Sequence, residues 1–109
     1  MHKAPRSSLV NRLIETDDEG RIRYVTPEAA TVLGVAPRDL VGRDLFRLFP
    51  QQQRLLRLHL RAVLVANVIR EAVDVTITRP REGSIDARLT AVKLDARRVQ
   101  WRIARNDEM

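Results

Sequence analysis

The chain has 109 residues, of which 44% are apolar and 31% are charged, and it contains no cysteine. That length suits one domain with a modest core, and that composition is typical of a folded soluble protein rather than a disordered one. Without cysteine, the chain can form no disulfide, iron–sulfur cluster, thiolate zinc site or cysteinyl flavin adduct.

The formal net charge of +6 arises from 20 Lys and Arg against 14 Asp and Glu. A basic total invites a nucleic-acid interpretation. The arginines, however, recur every few residues from Arg6 to Arg105 and are interleaved with acids. A basic total without a dense tract or an aromatic platform is weak evidence, so we do not expect nucleic-acid binding.

Membrane association is not expected either. The apolar run of residues 62–66 is too short to span a bilayer. The first 13 residues lack the apolar stretch of a signal peptide. A cytoplasmic location is therefore the expectation.

Residues 1–11 are polar and basic, and we predict a lead-in segment ahead of a domain that covers 12–106, with 107–109 as an exit. The domain begins with a predicted strand over 12–16, followed by an acidic turn in which Gly20 is free to take positive φ. The alternation over the next five residues predicts a second strand with Ile22 and Tyr24 on one face.

Several short helical segments follow the hairpin. Thr26 is a good N-cap and Pro27 a good first helical residue, so a helix is predicted from here to Gly34. A second helical turn is predicted from Pro37 to Leu40, and residues 43–49 hold room for another. None of these segments is long enough to form the core alone.

Residues 51–69 are predicted to form the single long helix. At 100° per residue, Arg54, Arg57 and Arg61 fall within one narrow sector. The residues placed opposite them are Leu55, His59, Ala62, Val63 and Ala66. We therefore expect this second face to lie on a sheet and to shelter His59.

Three strands are predicted after the long helix, over residues 72–78, 84–94 and 98–103. The middle one loses its alternation near Ala91 and Val92, as a β-bulge would produce. Two strands, several helices and three more strands predict an α+β domain with an antiparallel sheet.

The order and spacing of these elements resemble the PAS family over Leu13 to Arg105. In that family a D-x-x-G-x-I-x-Y hairpin precedes an N-P-x-A helix, an L-x-G marks a second short helix, and an aromatic lies on the last strand. The matching residues here are Asp17, Gly20, Ile22, Tyr24, Pro27, Leu40, Gly42 and Trp101. Thr26 stands where the family usually has Asn, which leaves the cap intact.

The resemblance implies a five-stranded antiparallel sheet in the order 2-1-5-4-3, with short helices and one long helix on one face. It also implies a sensory or dimerisation module of a larger bacterial signalling protein. A ligand or partner would change how the long helix packs on the sheet, and this change would bias a dimer or a following effector domain. Fold alone does not decide among these functions.

The sequence carries no catalytic motif. His2 and His59 are the only histidines, and no Walker loop, G-x-G-x-x-G or H-E-x-x-H occurs. The paired acids Asp17 and Asp18 lie in the predicted turn, where turn formation and solubility account for them. We expect no enzyme activity.

His59 admits three interpretations. In haem-binding PAS domains a histidine in this region ligates the iron, so the resemblance permits haem, and no other metal is expected. A buried histidine that is hydrogen-bonded in the core is the more ordinary interpretation. A hydrogen bond to a small polar ligand is the third.

The predicted ligand-binding residues are Tyr24, His59, Ala62, Ala66, Leu89 and Trp101. Core packing is the alternative for Trp101, since aromatic side chains contribute most of the area of a core.

Leu9, Val10 and Leu13 are predicted to form a homodimer interface with the open face of the sheet, because PAS modules commonly pair in this way. The alternative is that the lead-in segment is simply disordered. Two further functions stay open at this point: a ligand-free protein–protein interaction module, and a nucleic-acid-binding domain that uses the arginines.

Overall fold

The computed structural model describes residues 12–66, 72–79 and 83–106. Its elements, in chain order, are β1 (Leu13–Asp17), β2 (Ile22–Val25), α1 (Pro27–Leu33), α2 (Pro37–Leu40), 3₁₀ helices over Leu45–Leu48 and Pro50–Gln52, α3 (Gln53–Ala66), β3 (Val73–Arg79), β4 (Gly83–Asp95) and β5 (Arg98–Arg105). None of the helices in these described ranges is long and apolar enough to cross a membrane.

The five strands form one antiparallel sheet in the order β2-β1-β5-β4-β3. The predicted strand order is confirmed. Side chains alternate across the sheet, and one face carries the buried residues of the core. The buried residues of β3, β4 and β5 on this face are Val73, Val75, Ile77, Ala87, Leu89, Ala91, Val99, Trp101 and Ile103.

A register shift in the β1–β2 hairpin corrects the prediction for Tyr24. Glu15 pairs with Tyr24 and Thr16 with Ile22, so Arg23 is an extra residue in β2. The extra residue turns both Ile22 and Val25 into the core, and Tyr24 lies 56% exposed on the opposite face of the sheet. The expectation that Ile22 and Tyr24 share a face is therefore wrong.

The predicted bulge in β4 also lies elsewhere. Ala91 is buried and pairs with Trp101, so the alternation holds through this position. The shift falls between Lys93 and Asp95, next to the turn that leads into β5. The bulge exists, but it is two residues closer to the end of the strand than the sequence pattern indicated.

Thr26 fixes the start of α1 to the first strand. Its Oγ1 accepts a hydrogen bond from the amide of Ala29 at 3.2 Å, as an N-cap does, and another from the amide of Leu13 at 3.1 Å. The same hydroxyl donates to the Leu13 carbonyl at 3.3 Å. Gly34 ends the helix with φ +76°.

The buried face of α3 overlaps the predicted one at Val63 and is otherwise rotated away from it. Its buried residues are Leu56, Leu60 and Val63. Leu55 and Ala66, which we expected to face the sheet, are exposed. The three arginines do lie on the exposed side. The helix has aliphatic residues on nearly all sides, so the pattern alone did not identify the buried face.

Side chains hold α3 and the segment before it against the sheet. The Nζ of Lys93 on β4 donates to the Leu64 carbonyl at 3.1 Å. Before the helix, Gln52 Oε1 accepts a hydrogen bond from the amide of Thr76 on the edge strand β3 at 3.2 Å. The helix is therefore connected to both β3 and β4.

The segment before α3 also covers the free edge of β2. The Ile22 amide donates to the Arg43 carbonyl at 2.7 Å, and the Leu45 amide donates to the Gly20 carbonyl at 2.8 Å. Gly20 lies with φ +90° directly against Phe46, where an added Cβ would overlap the ring. Only glycine permits this approach.

We expect Gly20→Ala to destabilise the fold more than Gly42→Ala does. Both glycines have positive φ, at +90° and +92°, but an added Cβ at Gly42 meets no atom within 4 Å. The two variants share the backbone strain, so their difference measures the collision with Phe46, expected at about 1–3 kcal/mol. Urea unfolding measures it. Equal losses would show that Phe46 moves aside freely.

Candidate functional site

Trp101 occupies the centre of the buried space beneath α3. It lies on β5 with 0% exposure. Its indole Nε1–H donates to the hydroxyl of Thr16 at 2.9 Å, and Thr16 is also fully buried. Because the donor has an acceptor, the indole can be buried without the cost of an unmade hydrogen bond.

Two further rings pack around the indole. Phe46 meets it edge-on, with ring centroids 5.8 Å apart and an interplanar angle of 76°. The imidazole of His59 on α3 lies 6.1 Å from the same ring at 47°. We call Thr16, Phe46, His59 and Trp101 the Trp101 cluster. It brings together β1, β5, the first 3₁₀ helix and α3.

A charged pair lies over the outer side of this cluster. The guanidinium of Arg57 lies 5.0 Å from the centroid of the Phe46 ring, and it donates to Asp44 Oδ2 at 2.6 Å. Asp44 Oδ1 in turn accepts from the Phe46 amide at 2.9 Å. Asp44 thus starts the 3₁₀ helix and positions Arg57, and no signal in the sequence marked this role.

The structure brings together only some of the predicted ligand-binding residues. Leu89 is fully buried on the same sheet face as Trp101, and His59 is partly buried beside the indole. Ala62 is partly exposed at the border of the helix–sheet contact, while Ala66 is exposed. Tyr24 lies on the other side of the sheet, for the reason given above. Thr16 belongs to the group, although no pattern in the sequence marks it as a site residue.

Clefts of about 430, 530 and 270 Å³ open on the surface of the described residues. None of the three is lined by His59, Leu89 or Trp101. Leu89 and Trp101 are fully buried between α3 and the sheet, and His59 is partly buried beside them.

The residues around His59 do not fit haem. An iron ligand needs its imidazole directed into a flat cavity wide enough for a porphyrin. Here the imidazole lies beside the buried indole of Trp101, and Phe46 packs edge-on against the same indole. Ala66, one of the predicted ligand-binding residues, is exposed at the end of α3.

The opposite face of the sheet carries the remaining predicted site. Leu13 is partly buried there, and Leu9 and Val10 lie outside the described residues. Arg98 on this face lies 2.7 Å from Asp95 and 3.9 Å from Glu15. The hydrogen bond from Arg98 lowers the pKa of Asp95, with a smaller contribution from the Arg97 amide. This face therefore carries charged pairs beside Leu13.

We expect Thr16→Val to lower the free energy of unfolding by about 1–3 kcal/mol, because the buried indole N–H loses its acceptor. In a Trp101→Phe background, which has no N–H, the same substitution should cost less than about 1 kcal/mol. Urea unfolding of the four proteins completes the cycle. Equal costs in both backgrounds would mean that the hydrogen bond contributes nothing.

The sequence of this chain matches a known protein family. The family model described as the PAS fold matches residues 7–103. No curated protein sequence matches the chain.

Solved PAS domains superpose on most of the chain. That of the RpfR quorum-sensing receptor of Cronobacter turicensis, in complex with BDSF, has a TM-score of 0.72 at 16% identity, covering 86% of this chain and 91% of that one. That of a LuxR-family transcriptional regulator from Burkholderia thailandensis, in complex with ethanol, has a TM-score of 0.69 at 20% identity, covering 97% and 99%. At these identities the neighbours show the fold. The family match covers most of the sequence, and the protein belongs to the PAS family.

Proposed function

We propose that the protein is a sensory module in which the packing of α3 on the sheet, through the Trp101 cluster, is the switching element. The observation that carries the proposal is the contact of one buried indole with both β1 and α3. Any molecule that enters beneath α3 must displace side chains of this cluster. Binding there would therefore favour a second position of the helix.

Two of the structural neighbours support a small-molecule input, since the RpfR domain is in complex with BDSF and the Burkholderia domain with ethanol. In this chain we propose that a small, mostly apolar ligand lies between α3 and the sheet. Leu89 and Trp101 would provide apolar contact, and His59 and Ala62 would lie at the entrance. The imidazole is the polar group best placed to orient such a ligand.

We expect native mass spectrometry of the purified protein to detect a retained small molecule. His59→Leu should reduce its occupancy at least about fivefold, because it removes the polar contact and keeps the volume. Leu55→Ala is the matched control, since Leu55 is exposed on the same helix. If no molecule is retained, and none of a panel of fatty acids and short alcohols changes hydrogen exchange in α3, the ligand part of the proposal is wrong.

A ligand-free interaction module is the second candidate function. The filled space around Trp101, whose exposure is 0%, supports it, because such a core needs no ligand to be complete. The outer face of the sheet would then be the functional surface. We propose that Leu13 and Tyr24 lie within a homodimer interface there, together with Leu9 and Val10. Signal transfer would follow from a change in the dimer arrangement.

We expect light scattering with size-exclusion chromatography to give the mass of a dimer. Leu13→Glu combined with Tyr24→Ser should raise the dimer dissociation constant at least about tenfold, since both changes remove apolar contact from the outer face. Leu55→Glu, on the exposed side of α3, is the control and should leave the mass unchanged. A monomer at every concentration tested would contradict this candidate function.

Both candidates assign a regulatory role rather than a catalytic one, in keeping with the family. We propose a bacterial, cytoplasmic signalling protein in which an effector domain or partner protein responds to this module. Nucleic acid is not the proposed partner, because the arginines are distributed over the whole chain.

A further inference from the structure

The outward side of α3 has more exposed aliphatic surface than the fold requires. Leu55, Leu58 and Val65 have exposed fractions of 53%, 57% and 82%. Single exposed aliphatic residues are ordinary on protein surfaces. Three on one helix of 14 residues are different, because the same helix already buries a complete inner face. Its outer face is therefore amphipathic in its own right.

Arginines alternate with two of these aliphatic residues, Leu58 and Val65, along one line. Arg54, Leu58, Arg61 and Val65 follow one another at intervals of four, three and four residues. This is the spacing that keeps side chains on one seam against a partner helix. All four residues are exposed. A cleft of about 430 Å³ beside the line is lined by Arg54, Arg57, Leu58 and Arg61.

The arginines oppose the electrostatics of their own helix. The first turn of α3 contains no acidic residue, and the helix sequence QRLLRLHLRAVLVA contains none at any position. Arg54 lies near the N-terminus, where the helix dipole disfavours a cation. Of the three arginines, Arg57 is paired with Asp44. An anionic partner would remove the repulsion among the cations.

Charge decides among the possible occupants of this face. A second copy would bring the cationic line of one α3 against that of another, with no carboxylate on either helix. The lead-in segment, residues 1–11, is not a suitable occupant either, because it contains no acidic residue that could pair with the arginines. Nucleic acid would contact the exposed Leu58 and Val65, whose side chains have no donor or charge that could bind a phosphate. It would also meet Asp18 and Glu19, which line the neighbouring cleft of about 270 Å³.

An acidic amphipathic helix satisfies every part of the pattern. Its leucines would cover Leu58 and Val65, and its carboxylates would reach Arg54 and Arg61. Unlike a phosphate backbone, such a helix can place an uncharged residue opposite Asp18 and Glu19. We propose that the outward face of α3 is a docking site for an acidic amphipathic helix of a partner protein. The site is separate from the sheet face and from the space around Trp101.

The probe is a synthetic peptide of roughly 18 residues, long enough to hold helical structure. Leucine and glutamate alternate at its seam positions, and alanine and glutamine fill the rest. We expect saturable binding in fluorescence anisotropy, weakened by added salt. Peptides with glutamine for glutamate, or with the same residues scrambled, should bind at least about tenfold more weakly. Amide chemical shifts should change along α3.

Protein variants connect the binding to this face. Arg54→Gln with Arg61→Gln should weaken binding of the acidic peptide at least about tenfold, and Leu58→Ala with Val65→Ala should do the same. Arg23→Gln with Arg38→Gln is the control: it removes the same charge from two exposed sites elsewhere and should leave binding unchanged. All these positions are exposed, so no variant should unfold at a markedly lower urea midpoint than the wild type.

Three results would overturn the proposal. The first is absence of binding by the acidic peptide. The second is equal weakening by the control pair, which would indicate a general effect of charge. The third is that a single-stranded oligonucleotide, or vesicles of anionic phosphatidylglycerol, bind more tightly than the peptide. That binding would also have to be lost in the double variant Arg54→Gln/Arg61→Gln. None of these results depends on whether a small molecule binds beneath α3.

Discussion

The packing of this domain depends on one buried donor having its acceptor. The Trp101 indole lies where helix, sheet and 3₁₀ segment meet, and its N–H reaches the Thr16 hydroxyl on the neighbouring strand. Without that hydroxyl, the largest side chain of the core would carry an unmade hydrogen bond into a water-free space. With it, the ring can lie fully buried and pack against α3.

Much of the fold could be predicted because local signals agreed with one another. The Thr26-Pro27 start, the Gly20 turn and the alternation of the last three strands each match what the chain adopts. Tyr24 could not be placed, because a single extra residue at Arg23 reverses the faces of β2 and leaves no trace in a four-residue pattern. The Thr16 hydrogen bond spans 85 residues and has no local signature.

The prediction of the buried face of α3 failed for a different reason. Leu55 and Leu56 are adjacent and chemically identical, yet one is exposed and the other fully buried. Periodicity identifies a buried face only when the rest of the helix is polar. Here aliphatic residues lie on both sides, so packing against the core decides which leucine is buried. The ambiguity of the pattern and the amphipathic outer surface have the same origin.

The hydrogen bond between Gln52 and Thr76 has a consequence for the border of the sheet. A border strand with open amides can recruit a strand from another molecule and begin an ordered aggregate. Here the carboxamide of Gln52, one residue before α3, occupies an amide of β3. Moving the beginning of that helix away from the sheet would therefore also expose an unpaired amide of the border strand, where another molecule could add a strand.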